Sequence, residues 1–333
     1  MTIRAPRLVY VLLLLATIGV ARLAQAGAVE TTIDNDTDAF VPGPSTTDRN
    51  YTQGSRVAWY GSPNEMPGWA HGLADRIGGR DSERRFGLAI GQEIYTPDAI
   101  SKRTPVLNDR PYAGWLYGSA FVVSETERRE RTLEMTAGVV GPKSLASDAQ
   151  SWWHGELGIR APRGWQYQLH DEPGVMLRLT ERRRPWGRRK HVDLVPHAVA
   201  AVGNVLTYAG AGATLRLGAP LPNDFGQSPT TAPGPGERSN KVHLYAFARA
   251  EGRAVAHSIF LDGNTLGGSQ RVHRMPFVGE SQMGFGARWR SVGLRYLFSY
   301  TTQEFRERAD VHRYGSIGLS FLERRLAPPA AGG

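Results

Sequence analysis

After residue 26, the apolar residues of this chain alternate with polar ones over short segments, and no apolar run approaches the roughly 18 residues that a membrane-spanning helix needs. Segments such as 85–91 and 292–298 are typical of strands. Charged residues fall inside several segments, as Arg178 does between Leu177 and Leu179. A barrel turns such residues toward a polar lumen, while the alternate residues meet lipid. The pattern therefore predicts an all-β fold, a transmembrane antiparallel β-barrel.

The alternating segments number about twelve. Both ends of an outer-membrane barrel normally lie in the periplasm, so an even number of strands is expected. The first segment is short, and the ninth is long enough to be divided into two. The predicted strands cover residues 28–36, 52–61, 84–95, 112–124, 129–141, 172–183, 189–202, 205–217, 241–261, 275–290, 291–304 and 311–322.

The first 26 residues have the pattern of a secretory signal peptide. Arg4 and Arg7 precede an apolar run over 8–21, and Ala24 and Ala26 form an A-x-A cleavage site. A membrane anchor is the alternative, but the apolar run is too short to span. The predicted division of the chain is a signal peptide, the barrel and a tail rich in Pro and Ala: 1–26, 27–322 and 323–333.

Composition narrows the possible functions. The chain has no cysteine, which excludes thiol catalysis and cysteine-based zinc sites. Its net charge is +9, but no recognition-helix pattern accompanies the charge, so no nucleic-acid partner is predicted. The densest basic cluster, residues 182–190, is interpreted either as a membrane-edge turn facing anionic headgroups or as a solvated loop.

Two stretches, residues 63–81 and 219–240, are interpreted as linkers because they are rich in Pro, Gly and polar residues. One helix is predicted, over 144–158 and with Ser144 as a possible cap. It would lie in an extracellular loop of an otherwise all-β chain. A helix in such a place favours a functional role for that loop.

Common hydrolase and nucleotide-binding motifs are missing from the sequence: there is no G-x-S-x-G, H-E-x-x-H, P-loop or EF-hand pattern. A serine-hydrolase mechanism therefore has no local support. The acidic segment 33–38 offers carboxylate and amide oxygens of the type that binds Ca²⁺, although a solvated turn has the same composition. His154, within the predicted helix, is a candidate general base.

Strand parity places several of these residues at one end of the barrel. If the N-terminus is periplasmic, strand one ends outside the cell, and the loops after strands three and five are extracellular as well. The extracellular rim would then carry Asn35, Asp36, Thr52, Lys102 and His154.

These segments resemble the outer-membrane lipid A 3′-O-deacylases of the LpxR type, along nearly the whole mature chain. The resemblance rests, in chain order, on Asn35-Asp36, Tyr51-Thr52, the stretch from Gln92 to Arg103, Asp109-Arg110 and His154. It implies a barrel of twelve strands, Ca²⁺-dependent activity, and a site between the wall and a loop helix. It also implies functional roles for Asn35, Asp36, Thr52, Lys102 and His154. The family has a Glu shortly after the His; Arg160 stands at that spacing here, and Glu156 falls on another face of the helix.

The chemistry that follows is a metal-assisted ester hydrolysis. His154 would activate water, and a Ca²⁺ ion held by Asp36 and Asn35 would polarise the ester carbonyl. Thr52 could hydrogen-bond the metal site or the oxyanion, and Lys102 suits a sugar phosphate or the oxyanion. The predicted protein is a monomer in the outer membrane that acts on lipid A of lipopolysaccharide among the outer-membrane lipids. The alternatives are a non-catalytic barrel (a porin or structural protein) and an outer-membrane phospholipase.

Overall fold

The structure is a computed structural model. It describes residues 27–35, 50–61, 66–79, 81–158, 160–187, 189–226, 239–308 and 311–322. The predicted signal peptide, the C-terminal tail and Asp36 lie outside the described residues.

Twelve antiparallel strands form one closed barrel, in which each strand pairs with its neighbours in sequence and β12 pairs with β1. The predicted fold class is confirmed, and the predicted ninth strand is a single long one. The strands are β1 Gly27–Asn35, β2 Asn50–Gly61, β3 Glu83–Thr96, β4 Ala113–Glu125, β5 Arg129–Val140, β6 Glu172–Arg183, β7 Val192–Gly203, β8 Leu206–Ala219, β9 Ser239–Ser258, β10 Phe277–Arg290, β11 Val292–Thr301 and β12 His312–Leu322.

The alternation read from the sequence corresponds to the two faces of the wall. Arg178 is 8% exposed and points into the lumen, whereas Leu177 and Leu179 are 43% and 42% exposed on the outside. Glu134 lies within 3.5 Å of Arg178 and 2.8 Å of Arg56, so the lumen charges are paired across strands. Pairing lowers the cost of burying these charges.

Three α-helices lie in the described loops: α1 Gly68–Gly78, α2 Ala146–Leu157 and α3 Ile259–Asp262. None of the helices in the described part of the chain is long and apolar enough to cross a membrane. The predicted loop helix is confirmed as α2, but Ser144 is not its cap. The Ser144 hydroxyl donates to the carbonyl of Gly141, and Leu145 occupies the N-cap position in a left-handed conformation.

Helix α1 lies within a segment that the sequence predicted to be a linker. Ala70 and Ala74 are fully buried against Phe86 and Val122, which face outward from β3 and β4. Trp69 remains 61% exposed beside Phe86. The helix therefore packs on the outside of the wall at the periplasmic end, and its small side chains allow the close approach.

The interpretation of the basic cluster at residues 182–190 was wrong for two of its members. Arg182 and Arg184 are buried rather than solvated or facing headgroups. Arg182 is ion-paired with Glu130, and Arg184 lies 3.1 Å from Asp193. Both residues belong to the polar filling of the lumen.

The periplasmic half of the lumen contains a buried ion-pair network. Arg216 contacts Asp193 at 2.7 Å and Asp224 at 2.5 Å, and the Arg184 guanidinium stacks on Phe225. Burial alone would raise the pKa of Asp224, but Arg216 and Arg288 hold it at about 2. The carboxylate is thus ionised at neutral pH, and its ion pairs with Arg216 and Arg288 are retained there.

The extracellular mouth is covered by loops. Leu261, Val272 and Phe305 form an apolar cluster there, and Arg110 pairs with Glu304 at 2.6 Å. A cavity of about 190 Å³ remains below them, lined by Asp34, Tyr51, Glu93, Tyr95, Arg178, Arg253 and Tyr314 among others.

A barrel whose lumen is occupied by buried ion pairs, with loops packed at its mouth, should not conduct ions as a general porin does. Purified protein in planar lipid bilayers is expected to give no stable conductance steps, under conditions in which a general porin does. Ohmic steps of porin size would contradict the described packing and would favour the porin alternative.

Candidate functional site

The first strands carry a row of side chains across the outer face of the wall, near its extracellular end. Asn35 of β1 pairs with Gln53, Gln53 with Ile94, and Ile94 with Gly114. Paired residues share a face, and this face is the outer one because Asp34, next to Asn35, lines the lumen. With about 4.8 Å between strands, Asn35 lies roughly 10 Å from Ile94.

Helix α2 covers this part of the wall. Ile94 packs with Ala146, Ala149 and Trp165, and the Gln92 amide donates to the carbonyl of Ser144 at 2.6 Å. Lower on the same face of β3, the side chains are open to lipid: Leu88 and Ile90 are 47% and 45% exposed. Helix α2 thus lies between the polar residues at the extracellular end of the wall and the lipid-exposed apolar residues, such as Leu88 and Ile90, below them.

Gly114 allows the start of α2 to reach the wall. A Cβ built at Gly114 would lie 2.2 Å from both the Ala146 Cβ and the Ser144 Oγ. Such distances are far inside van der Waals contact, so any larger residue must push the helix outward.

The Gly114→Ala variant is therefore expected to loosen α2. We expect backbone hydrogen exchange over residues 146–157 to rise by at least about tenfold, because local opening costs less free energy. Gly118→Ala is the matched control: it lies on the same outward face of β4, and a Cβ built there would be 3.8 Å from the Ala89 carbonyl oxygen, an ordinary van der Waals distance. Equal exchange in the two variants would contradict the close packing at Gly114.

A β-bulge places Thr52 beside the covered patch. The pairing of β2 with β3 shifts register between Tyr51 and Gln53, so Thr52 is the extra residue. Its hydroxyl is hydrogen-bonded to that of Thr96 at 2.7 Å, and both side chains are buried. Bulges often re-aim a side chain near a functional site.

His154 lies on the buried side of α2 and is 1% exposed. Its Nδ1 is 2.6 Å from the carbonyl oxygen of Arg160. A carbonyl can only accept, so Nδ1 carries the proton and Nε2 is the basic nitrogen of the neutral ring. The backbone of Arg160, not its side chain, therefore orients the imidazole, and a side-chain carboxylate at that position is not needed for this role. Glu156 is exposed.

Lys102 lies in the loop between β3 and β4, and its side chain is exposed. That loop is joined to the segment that follows α2. The Arg163 amide donates to the Ile100 carbonyl at 2.7 Å, and the Tyr112 hydroxyl donates to the same carbonyl at 3.1 Å. Lys102 thus belongs to the rim next to α2, on the solvent side.

The sequence-predicted residues fall into three groups. Asn35 and Thr52 are on the outer wall, and His154 is on the helix that covers this wall; Lys102 is on the neighbouring loop. Asp36 lies outside the described residues, one position after Asn35. Within the described ranges, no three His, Asp or Glu side chains are grouped so as to hold a metal ion.

The sequence analysis assigned no role to Gly114, Thr96, Gln92 or the Arg160 carbonyl. Gly114 acts through close approach, and Gln92 and Arg160 act through hydrogen bonds that involve backbone carbonyls, for which a single sequence carries no signal. Thr96 could have been noticed, because it stands on the same outward face as Gln92 and Ile94 at the end of β3.

Comparisons with known proteins agree with this architecture. A family profile described as "Outer membrane protein LpxR" matches residues 8–322, which is most of the chain. The chain belongs to the LpxR family. As a member of the LpxR family, it lies in the bacterial outer membrane. A search of curated protein sequences found no match.

Among solved structures, LpxR from Salmonella typhimurium is similar, with a TM-score of 0.72 and 23% sequence identity. The match covers 89% of this chain and 99% of that one. The Bordetella autotransporter BrkA β domain is also found, with a TM-score of 0.43, 10% identity, and coverage of 89% and 98%. The first likeness supports the fold of an LpxR barrel, and the second is too distant to add to it.

Proposed function

We propose that this protein is an outer-membrane esterase that removes the 3′-linked acyl(oxyacyl) chain from lipid A of lipopolysaccharide. The observation that carries the proposal is the placement of His154. Its ring is buried, and His154 lies on the buried side of α2, as do Ala146 and Ala149, which pack against Ile94 on the outward face of the wall at the extracellular end. A site in that position can receive a lipid of the outer leaflet without extracting it from the membrane.

The residues support hydrolysis by water. With Nδ1 held by the Arg160 carbonyl, Nε2 of His154 can take a proton from a water molecule as it attacks the ester carbonyl. The same nitrogen can then return the proton to the leaving alkoxide of the sugar. Thr52 and Asn35 would position the carbonyl end of the substrate, and the exposed Lys102 would pair with a phosphate of the substrate headgroup.

The donor set near Asn35 suits a hard cation. It consists of oxygen donors: the amide of Asn35, the hydroxyl of Thr52 and, next along the chain, the carboxylate of Asp36. Such a set fits Ca²⁺ better than a transition metal. We propose that Asp36 and Asn35 hold the ion. When bound, it would supply Lewis-acid polarisation of the ester carbonyl.

Two other functions fit less well. A porin needs a wide water-filled lumen, whereas buried ion pairs occupy the periplasmic half of this one and described loops pack at its extracellular mouth. An outer-membrane phospholipase would use a serine nucleophile, for which the sequence offers no elbow motif.

The experiment is an assay with purified protein in detergent micelles containing lipopolysaccharide, read by mass spectrometry of lipid A. We expect the loss of a 3′ acyl chain in the presence of Ca²⁺, no loss after exhaustive chelation, and recovery when Ca²⁺ is restored. Full activity after chelation would contradict the metal assignment, and no change of lipid A in any condition would contradict the proposed function.

A further inference from the structure

The lumen side of the wall, directly behind Asn35 and Thr52, carries a buried link between the ends of β1 and β2. The Tyr51 hydroxyl donates to Asp34 Oδ2 at 2.8 Å. Each partner is next in sequence to one of the candidate site residues. Successive strand residues point to opposite faces, so the link and the site are back to back across the wall.

The glycine at position 54 is required for this link. Gly54 is the pairing partner of Asp34 across the two strands, and the Tyr51 ring lies over it. A Cβ built at Gly54 would be 1.7 Å from the Tyr51 hydroxyl oxygen and 3.2 Å from Asp34 Oδ2. Any side chain there would displace the hydroxyl from the carboxylate.

The link lies beside an irregularity in the sheet. The bulge at Thr52, next to Tyr51, interrupts the pairing of β2 with β3. Backbone hydrogen bonds alone therefore constrain this corner less than a regular ladder would. The Tyr51 ring is also held by neighbours, with ring centroids 5.5 Å from Tyr95 and 5.1 Å from Tyr314.

We propose that Tyr51 and Asp34 are positioning residues for the site: their hydrogen bond on the lumen side fixes the bulged corner so that Asn35 and Thr52 face outward from the wall beside α2. Neither residue touches the substrate. The inference rests on the proposed function for its effect on catalysis, but the fixing of the corner is a property of the barrel itself.

The first test measures the reaction. Tyr51→Phe keeps the ring and removes the hydroxyl. We expect kcat to fall about 10- to 100-fold, the range found when a hydrogen-bond partner that orients a metal ligand is removed. KM should stay unchanged because the proposed substrate site is on the outer face of the wall, opposite the link. Asp34→Asn retains an acceptor oxygen and should keep most of the activity, while Asp34→Ala should match Tyr51→Phe.

The double variant Tyr51→Phe/Asp34→Ala should be no slower than Asp34→Ala alone, because without the carboxylate the Tyr51 hydroxyl has lost this partner already. Tyr314→Phe is the matched control. It is a neighbouring lumen tyrosine whose hydroxyl bonds Glu280, and it leaves the link intact, so kcat should be unchanged.

The second test does not depend on activity. Backbone hydrogen exchange at residues 33–35 and 50–53 should rise in Tyr51→Phe and not in Tyr314→Phe, while the remaining strands are unaffected. Unchanged exchange, additive losses in the double variant, or unchanged kcat in an active protein would each overturn the proposal. If the wild type releases no fatty acid, the proposed function fails, and exchange alone decides whether the pair fixes the corner.

Discussion

Replacing His154 with Asn is expected to lower the rate of lipid A deacylation by about 10²–10⁴-fold, the usual contribution of a general base. Asn can still donate a hydrogen bond near the position of Nδ1, toward the Arg160 carbonyl, so the local structure should persist. It has no basic nitrogen to accept the proton of water. The loss should therefore appear in kcat, with the barrel intact by heat-modifiable migration on gels.

His170→Asn is the matched control for this change. His170 lies in the same extracellular loop, its side chain is exposed, and it has no assigned role in the reaction. Its replacement should leave the rate within about twofold of wild type, as expected for surface changes. Wild-type activity in the His154→Asn variant would remove the general base from the mechanism and return the serine phospholipase to consideration.

Replacing Asp36 with Ala is expected to cost about 10²–10³-fold in kcat at low Ca²⁺, the range seen when a group that stabilises the oxyanion is lost. The carboxylate is the one charged donor in the proposed ligand set. Because Asn35 and Thr52 remain, activity should partly recover when the Ca²⁺ concentration is raised. Measuring the rate against Ca²⁺ concentration in both proteins gives this result directly.

Asp38→Ala is the control for Asp36→Ala, since both residues belong to the acidic segment after β1. A general effect of negative charge at the rim would change both variants alike. A specific ligand role predicts a shift in Ca²⁺ dependence for Asp36→Ala alone. Equal shifts in the two variants would contradict the assignment of Asp36.

The barrel was predictable because lipid and a polar lumen impose opposite demands on alternate residues. The three residues Leu177, Arg178 and Leu179 show this alternation in the sequence. The burial of Arg178 confirms that its side chain faces the lumen. Helix α1 was not predictable in the same way. Its contact with the wall depends on Ala70 and Ala74, which are small and weakly apolar, and the surrounding Gly and Pro residues read as a linker.

The candidate site likewise has a part that was predictable from the sequence and a part that was not. Asn35, Thr52, Lys102 and His154 could be named from the sequence because the resemblance to the LpxR type implies their roles and strand parity sets their end of the barrel. The groups that orient these side chains could not be identified from the sequence. The Arg160 carbonyl is a backbone group, and the link from Tyr51 to Asp34 depends on a cross-strand register that includes a bulge.

The central claim, removal of an acyl chain from lipid A, is tested most directly by mass spectrometry of lipid A from cells that express the wild-type protein or the His154→Asn variant. The proposed function predicts that wild-type cells contain lipid A lighter by one 3′ acyl(oxyacyl) chain, with the glucosamine phosphates retained, and that variant cells contain the full-length species. Identical lipid A spectra from the two strains, with both proteins folded in the outer membrane, would contradict it.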